Sequence, residues 1–241
     1  MQGRTIAAVI TAAGSSTRMG GIKKEYRPLQ DGRVDAEGKS LTVLGSAVLA
    51  FASCPDIAYI VITVPTNPEI GELKARSALP ALPETSAKKP KILFVPGAGT
   101  RRASVHHALA LLSAYEVDYV LIHDGARPWV QPSLIEGLIQ HVTVHQAVIP
   151  VLPLVETPKE INSQGLITRH LRRASIVSAQ TPQAFAFRGI LSAHEQAEEE
   201  ELRSGREFTD DAEVWGQFIG PVYTIEGQTG NKKITFPEDL P

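Results

Sequence analysis

The chain is almost without cysteine: Cys54 is the single one in 241 residues. One thiol cannot close an internal disulfide, and a multi-cysteine metal cluster is excluded with it. Nothing around Cys54 marks an activated thiolate, so it reads as an ordinary thiol of a reducing compartment. Long hydrophobic runs are lacking too. The first apolar stretch, Ile6–Ala13, is interrupted by Gly14, Ser15, Ser16, Thr17 and Arg18, too soon to cross a bilayer. Met1–Thr5 is polar, and a strand entering a functional loop explains the stretch better than a secretory signal does. The expected compartment is the cytoplasm. Charge of one sign is not in excess: 24 Lys+Arg against 26 Asp+Glu leave −2. That balance gives no general footprint for nucleic acid or a membrane, and neither is an expected partner. Hydrophobic residues at 43% and charged residues at 21% exclude disorder, collagen and coiled coil.

Short apolar runs rich in Val and Ile are present instead. Ile6–Ala12, Ile57–Val64, Ile92–Val95, Tyr119–His123 and Ala147–Val151 read as strands buried on both faces. Between them, Leu44–Ala52, Arg101–Tyr115 and Ser133–Val142 carry apolar residues at three- and four-residue spacing, the pattern of a helix with one buried face. This alternation predicts an α/β fold: a mostly parallel, Rossmann-like sheet with helices on both faces, in one domain over 1–241. Ligands of such sheets bind beyond the C-terminal ends of the strands. Gln30–Ser40 and Ala78–Lys91 read as loops. Glu156–Ser175 lacks helix periodicity, carries Arg169, Arg172 and Arg173, and reads as a projecting arm. The acidic run Glu198–Glu201 reads as a solvated helix face.

Three motifs sit where such strands end. Ala12-Ala13-Gly14-Ser15-Ser16-Thr17-Arg18 opens the first strand into small residues, so that backbone N–H groups can approach an anion. It is neither a Rossmann fingerprint nor a Walker A loop, and Arg18 and Lys24 add two cations that suit a triphosphate. His123-Asp124-Gly125-Ala126-Arg127-Pro128 puts a carboxylate at a strand end. There Asp124 can hold Mg²⁺ shared with phosphate oxygens, can pair with Arg127 to fix the turn, or can do both. Pro96-Gly97-Ala98-Gly99-Thr100-Arg101 follows a strand and opens a helix. Its small residues would let a base or ribose approach the backbone, with Ser104 in reach, or they serve helix entry alone. Later come Thr181-Pro182-Gln183, then Thr209-Asp210-Asp211-Ala212, where Thr209 or Asp210 suits a helix N-cap. Lys233 ends a short loop before an expected strand.

Taken together, AAG…RM…K, RRASV, HDGARP, QTPQ, TDDA and GNKKIT…PEDL resemble the 2-C-methyl-D-erythritol 4-phosphate cytidylyltransferase family, from about Ile6 to Leu240. The resemblance implies transfer of a cytidylyl group from CTP to 2-C-methyl-D-erythritol 4-phosphate in non-mevalonate isoprenoid synthesis. Pyrophosphate is the second product, Mg²⁺ the cofactor, and a homodimer with exchanged arms the assembly. A cytidylyltransferase for another sugar-alcohol phosphate, such as ribitol 5-phosphate, is the alternative. By the same resemblance Ala12, Ala13 and Gly14 border the nucleotide, and Arg18, Lys24 and Lys233 stabilise its phosphates. Ala98, Gly99 and Ser104 contact cytidine, and Asp124 lies near the metal. Thr157, Lys159, Arg173 and Thr209 meet the sugar phosphate, with Thr157 and Arg173 reaching into the partner's site. The chain departs from the family where Ser16 replaces a second glycine and Glu25 a glutamine. It departs again at Glu156-Thr157-Pro158-Lys159, at Ile176-Val177 and in the longer Gln30–Ser40 loop.

The chemistry asks for no Ser–His–Asp or Cys–His set. A phosphate monoester has a second pKa of about 6 and attacks as an anion already formed, so no general base is needed. The obstacle is repulsion from the triphosphate, which positioned cations and a metal relieve. Two other classes fit an α/β sheet. A nicotinamide oxidoreductase is disfavoured by the broken glycine pattern, and a silent nucleotide-binding protein by the joint presence of Arg18, Lys24, Asp124 and Lys233.

Overall fold

A computed structural model describes residues 4–16, 19–20, 23–82 and 89–241. Its elements in chain order are β1 (Ile6–Thr11), α1 (Val43–Ala52), β2 (Ile57–Val64), α2 (Pro68–Ala78), β3 (Lys91–Pro96), α3 (Arg101–Leu112), β4 (Tyr119–Asp124), α4 (Pro132–His145), β5 (Ala147–Pro153), β6 (Lys159–Ile161), β7 (Ile167–His170), β8 (Val177–Ala179), β9 (Gln183–Ala186), α5 (Phe187–Ser204), α6 (Asp211–Phe218) and β10 (Tyr223–Glu226). The main sheet runs β10-β5-β9-β4-β1-β2-β3, with β8 on the end of β5. Neighbours β1–β2, β1–β4, β2–β3 and β5–β10 are parallel, whereas β9 is antiparallel to both β4 and β5. The expected mostly parallel sheet is thus present, with β9 and β8 as its reversed members.

The unbroken apolar runs follow from burial on both faces. In β1, Ile6, Ala8 and Ile10 point into one core with Leu44, Val48 and Phe51 of α1 and Leu134, Ile135 and Leu138 of α4. Ala7 and Val9 point the other way, against Val105 and Leu109 of α3 and Ile190 of α5. A strand with apolar side chains on alternate faces has no polar period. Each such large aliphatic side chain, once fully buried, contributes roughly 1.5–3 kcal/mol.

The short elements depart from expectation in instructive ways. Helix α3 stops at Leu112, where Ser113 caps it and its Oγ donates to the carbonyl of Ala110. The acidic run on α5 is not wholly solvated. Glu201 lies 2.8 Å and Glu198 3.8 Å from the buried guanidinium of Arg102, which ties α5 to α3. Residues 231–235 form no strand after Lys233; that segment is held instead by Ile234, whose N–H donates to the carbonyl of Ala126. The Gln30–Ser40 loop folds back on itself through the Val34–Ser40 bridge. Its Arg33 reaches Ser46 Oγ at 2.8 Å and the carbonyl of Pro128 at 3.2 Å.

The Glu156–Ser175 segment is an exposed antiparallel hairpin, β6 with β7, off the main sheet. Its turn is organised by Asn162, whose Oδ1 accepts from Gln164 and Leu166, and by Gly165 at φ 79°. The hairpin leaves the core and returns to it at one point: Pro153 of β5 pairs with Val177 of β8.

Candidate active site

Register brings the parallel strand ends to one edge: Thr11 of β1 pairs with Thr63 of β2 and Asp124 of β4, and Val64 of β2 with Pro96 of β3. A cleft of about 620 Å³ opens there. Its first wall is the loop after β1. Ala12 is buried beneath it, with its N–H donating to Thr63 Oγ1 at 3.1 Å, while Ala13, Gly14, Ser15 and Ser16 line the cleft. Lys23 grips this loop by donating to the carbonyls of Ala13, at 2.9 Å, and Gly14. Partial burial pushes the Lys23 pKa down. Ser16 adopts φ 52°, a left-handed conformation that glycine takes without strain and that matches the glycine the family usually has there. Its Oγ donates to Glu25 Oε2 at 3.3 Å, so two departures from the family pattern meet each other.

A short 3-10 helix at Lys24–Tyr26 buries Lys24 to 8% exposure beneath the same wall. The opposite wall is the turn between β3 and α3. Ser104 does not extend into the cleft as a free hydroxyl: its Oγ accepts from the N–H of Ala98 at 2.9 Å and donates to the carbonyl of Thr100 at 2.8 Å. It therefore shapes the turn that presents Ala98 and Gly99. Gly97 must be glycine, since a Cβ there would overlap that of Ala13. The two walls touch at that point.

The floor is the end of β4. His123 is fully buried, and burial pushes its pKa down to about 4, so the ring is neutral. Its Nε2 faces a carbonyl, that of Arg127, at 3.1 Å and must carry the proton. Nδ1 then accepts from the Thr181 hydroxyl, whose Oγ accepts in turn from the N–H of Asp124. This chain fixes the backbone of Asp124 and explains why HDGARP and QTPQ occur together. Asn231 is buried alongside; its Nδ2 donates to the carbonyl of Thr181 and its own carbonyl accepts from Arg127. That brings Lys233 over the floor.

Asp124 is the centre of the charge arrangement. Lys233 Nζ lies 2.8 Å from Oδ2, Arg101 Nε 3.1 Å from Oδ1, and Arg127 Nε 3.7 Å from Oδ2. Burial opposes ionisation, but Arg101, Lys233 and Arg127 outweigh it and hold the carboxyl well below the usual carboxylate range. Asp124 is thus an anion encircled by cations that a polyanionic ligand could recruit.

Of the site residues expected from sequence, Ala13, Gly14, Lys24, Ala98, Gly99, Ser104, Asp124 and Lys233 line this cleft. Arg18 lies outside the described residues. Thr157, Lys159 and Arg173 belong to the arm, away from the cleft of their own chain. There Lys159 contacts His170 at 3.0 Å and Arg173 donates to the carbonyl of Val155 at 2.6 Å. Thr209 bonds to Glu213 at the start of α6. Sequence reasoning did not single out Lys23 or Arg101. Arg101 sits in the quoted RRASV motif, but its partner Asp211 is 110 residues away.

An α/β domain with a small-residue loop, a cation ring and one carboxylate at its strand ends is suited to a nucleotide's phosphates, the ligand of the nucleotidyltransferase class. The comparisons agree. The family described as 2-C-methyl-D-erythritol 4-phosphate cytidylyltransferase matches residues 6–241. The chain belongs to that family, whose members are cytidylyltransferases of non-mevalonate isoprenoid synthesis. It is similar to the bifunctional IspD/IspF enzymes of Nitrobacter hamburgensis, 37% identical over 97% of this chain and 53% of the relative, and of a Bradyrhizobium species, 38% identical over 97% and 54%. The chain therefore spans about half the length of these curated relatives. Among solved structures it is similar to the 4-diphosphocytidyl-2C-methyl-D-erythritol synthase of Anaerococcus prevotii, with TM-score 0.76, 25% identity and coverage of 99% and 96%. The cytidylyltransferase of Francisella tularensis gives TM-score 0.75, 26% identity and coverage of 98% and 96%.

Proposed function

We propose that this chain transfers the cytidylyl group of CTP to 2-C-methyl-D-erythritol 4-phosphate, giving 4-diphosphocytidyl-2-C-methyl-D-erythritol and pyrophosphate. The observation that carries this reading is the ring of Lys233, Arg101 and Arg127 around Asp124, in which Asp124, Arg101 and Lys233 line one cleft with Ala13–Ser16 and Lys24. An oxygen of the alcohol phosphate attacks the α-phosphorus of CTP. As that bond forms, the bond to the bridging oxygen breaks and its electron pair leaves with pyrophosphate. The nucleophile is already ionised, so the protein's task is alignment and charge neutralisation. Lys24 and Lys233 neutralise the α-phosphate and the leaving group, and Arg18 is proposed as a third such cation. Lys233, with its side chain 37% exposed, is free to turn from Asp124 to a phosphate. Ala12, Ala13 and Gly14 border the triphosphate, while Ala98 and Gly99, shaped by Ser104, offer backbone to the cytosine. Among the described residues, and apart from its own chain neighbours, nothing lies within 4 Å of where a Cβ of Gly99 would be, which leaves room for a base.

Mg²⁺ fits this donor set. It commonly takes one or two carboxylates plus substrate phosphates rather than a protein cage. Asp124 offers one ionised carboxylate, and no group of three His, Cys, Asp or Glu side chains among the described residues could cage an ion. Asp124 would hold the ion, which when bound withdraws charge from the phosphate oxygens.

The alcohol-phosphate end is completed by Thr209, by Lys159 and, from the arm of a second subunit, by Thr157 and Arg173. Two features support the exchanged-arm homodimer. These arm residues lie outside the cleft of their own chain, and the arm exposes Val155, Ile161, Leu166 and Ile167. A reaction that consumes CTP fits the cytoplasm, and no helix of the described residues is long and apolar enough to cross a membrane. Pyrophosphate release tests the reading, with CTP, UTP or ATP against 2-C-methyl-D-erythritol 4-phosphate, ribitol 5-phosphate and glycerol 3-phosphate. CTP with the first acceptor should give the highest kcat/KM. Release with none of the acceptors, or equal use of ATP, would overturn it.

A further inference from the structure

Arg101 does more than pair with Asp124. It opens α3, lines the cleft, and its guanidinium spans two carboxylates: Nε to Asp124 Oδ1 at 3.1 Å and Nη1 to Asp211 Oδ2 at 2.8 Å. Asp211 is 1% exposed and lies outside the cleft lining, so it cannot meet a substrate directly. Its other oxygen lies 3.2 Å from Nε2 of His194, which is also fully buried. The first turn of α6 that carries it is fixed on two sides. Asp210 caps it by accepting from Glu213 N–H. Gln183 of β9 accepts from Ala212 N–H and donates to Asp210. A buried carboxylate held this rigidly is an anchor for whatever cation it takes.

Resting on the nucleotidyl-transfer reading, we propose that Asp211 is a positioning residue. It holds Arg101 as a fixed cation facing the triphosphate and prevents the guanidinium from collapsing onto Asp124. Among the described residues Arg101 pairs with Asp124 and Asp211; without Asp211 it would pair with Asp124 alone, and the two would neutralise each other just where charge develops. With Asp211 in place, Arg101 stays oriented when Asp124 turns to other partners. Preorganised cations of this kind act on the transition state more than on ground-state binding. Asp211→Asn should therefore lower kcat about tenfold. CTP affinity should be unchanged or slightly tighter, because a negative charge has been removed.

The experiment is a double-mutant cycle of Asp211→Asn and Arg101→Ala, read by pyrophosphate release and by calorimetric CTP binding. In the Arg101→Ala background, Asp211→Asn should change kcat less than twofold. An equal tenfold loss in both backgrounds, or no loss in the parent chain, overturns the proposal, as does a loss that appears only as weaker CTP binding. Should Asp211→Asn fail to fold, Arg101→Lys serves: a lysine keeps the charge but lacks the planar fork whose Nε and Nη1 take the two carboxylates in one fixed orientation, and parent-level kcat in that variant overturns the proposal. Arginine-detected NMR needs no substrate. The Nη1 hydrogens of Arg101, which face Asp211 and are assigned by their disappearance in Arg101→Lys, should be protected from exchange and lose protection in Asp211→Asn. Protection that persists there also overturns the anchor. An inactive parent chain with a protected Arg101 would defeat the transfer reading and leave the anchor standing.

Discussion

Replacing Asp124 by asparagine should move three observables in different directions. The side chain keeps its shape and loses its charge. Without ligand, three cations then face one another with no anion between them. The cost is moderated by where each can go. Arg101 retains Asp211 at 2.8 Å, Arg127 retains the carbonyl of Asn231 at 2.8 Å, and Lys233 can turn to water. The loss should therefore fall below the roughly 3–5 kcal/mol typical of a broken buried pair, at about 2 kcal/mol, or roughly 4–8 °C in Tm. It should also depend on pH with a definite sign. The folded carboxyl of Asp124 is depressed, so its contribution is full above the unfolded pKa of about 4 and is lost as pH falls below it. The stability gap between parent and variant, measured by urea unfolding, should be widest at neutral pH and close in acid. Nucleotide binding should respond in the opposite way. Removing a negative charge about 6 Å from a phosphate is worth about 3 kcal/mol at an effective dielectric of 20, and solvent in the open cleft reduces that by about half. Metal-free CTP should then bind roughly tenfold more tightly by calorimetry. Turnover with Mg²⁺ should fall about a hundredfold and need more metal for half-activation. A variant as stable as the parent at pH 7, with unchanged metal-free CTP affinity and an unaltered Mg²⁺ titration, would refute the reasoning.

Lys24→Ala and Lys233→Ala should each lower kcat about a hundredfold, near 3 kcal/mol, with a smaller rise in KM for CTP; steady-state kinetics that show only a KM effect make that lysine a ground-state contact. Gly97→Ala should push apart the two cleft walls that meet at Ala13. A loss of about 1–3 kcal/mol in stability and weaker CTP binding are expected, and parent-like values in both assays would show that the walls yield freely. Arg173→Ala should raise KM for the alcohol phosphate and leave CTP binding nearly unchanged. Mixed with Lys24→Ala subunits, it should recover up to about half of parent activity per mixed dimer, since one site collects both defects. No recovery after demonstrated subunit exchange would put Arg173 in its own subunit's site.

Strands buried on both faces were legible in the sequence because continuous Val- and Ile-rich runs have few other uses. That is why β1, β2 and β4 appear nearly where the pattern puts them. Strand β9 was not legible. Its four residues, Gln183–Ala186, are too short for a period, and they are a strand because β4 and β5 leave a slot between them. Helix α2 was missed because Pro68–Ala78 carries few apolar residues, and β10 because half-exposed Tyr223 and Glu226 give an edge strand no apolar run. At the site, the loop after β1 and Asp124 were legible from residue type and position at a strand end, whereas Lys233 was named through the family resemblance and the strand expected after it is not formed. The Arg101–Asp211 pair was not legible, since an arginine in the first turn of a helix reads as ordinary helix entry until a distant carboxylate is brought to it. His123 gave no signal either, because its part is to orient a backbone through Thr181.

The short antiparallel ladder of Val151, Leu152 and Pro153 with Ala179, Ser178 and Val177 means that the chain enters and leaves the hairpin side by side, through one gate. Everything between those residues is a detachable module in the evolutionary sense: insertions, deletions and new side chains there alter no strand register in the body of the protein. If the arm meets the acceptor as proposed, the nucleotide half can stay constant while the arm drifts, and acceptor preference should diversify among relatives faster than nucleotide preference. The same gate makes the hairpin a grafting site. Replacing residues 155–175 with a short glycine-rich turn should leave a cooperatively unfolding domain that still binds CTP, with acceptor use abolished. A non-cooperative thermal melt by circular dichroism would show instead that the module is part of the core it was thought to hang from.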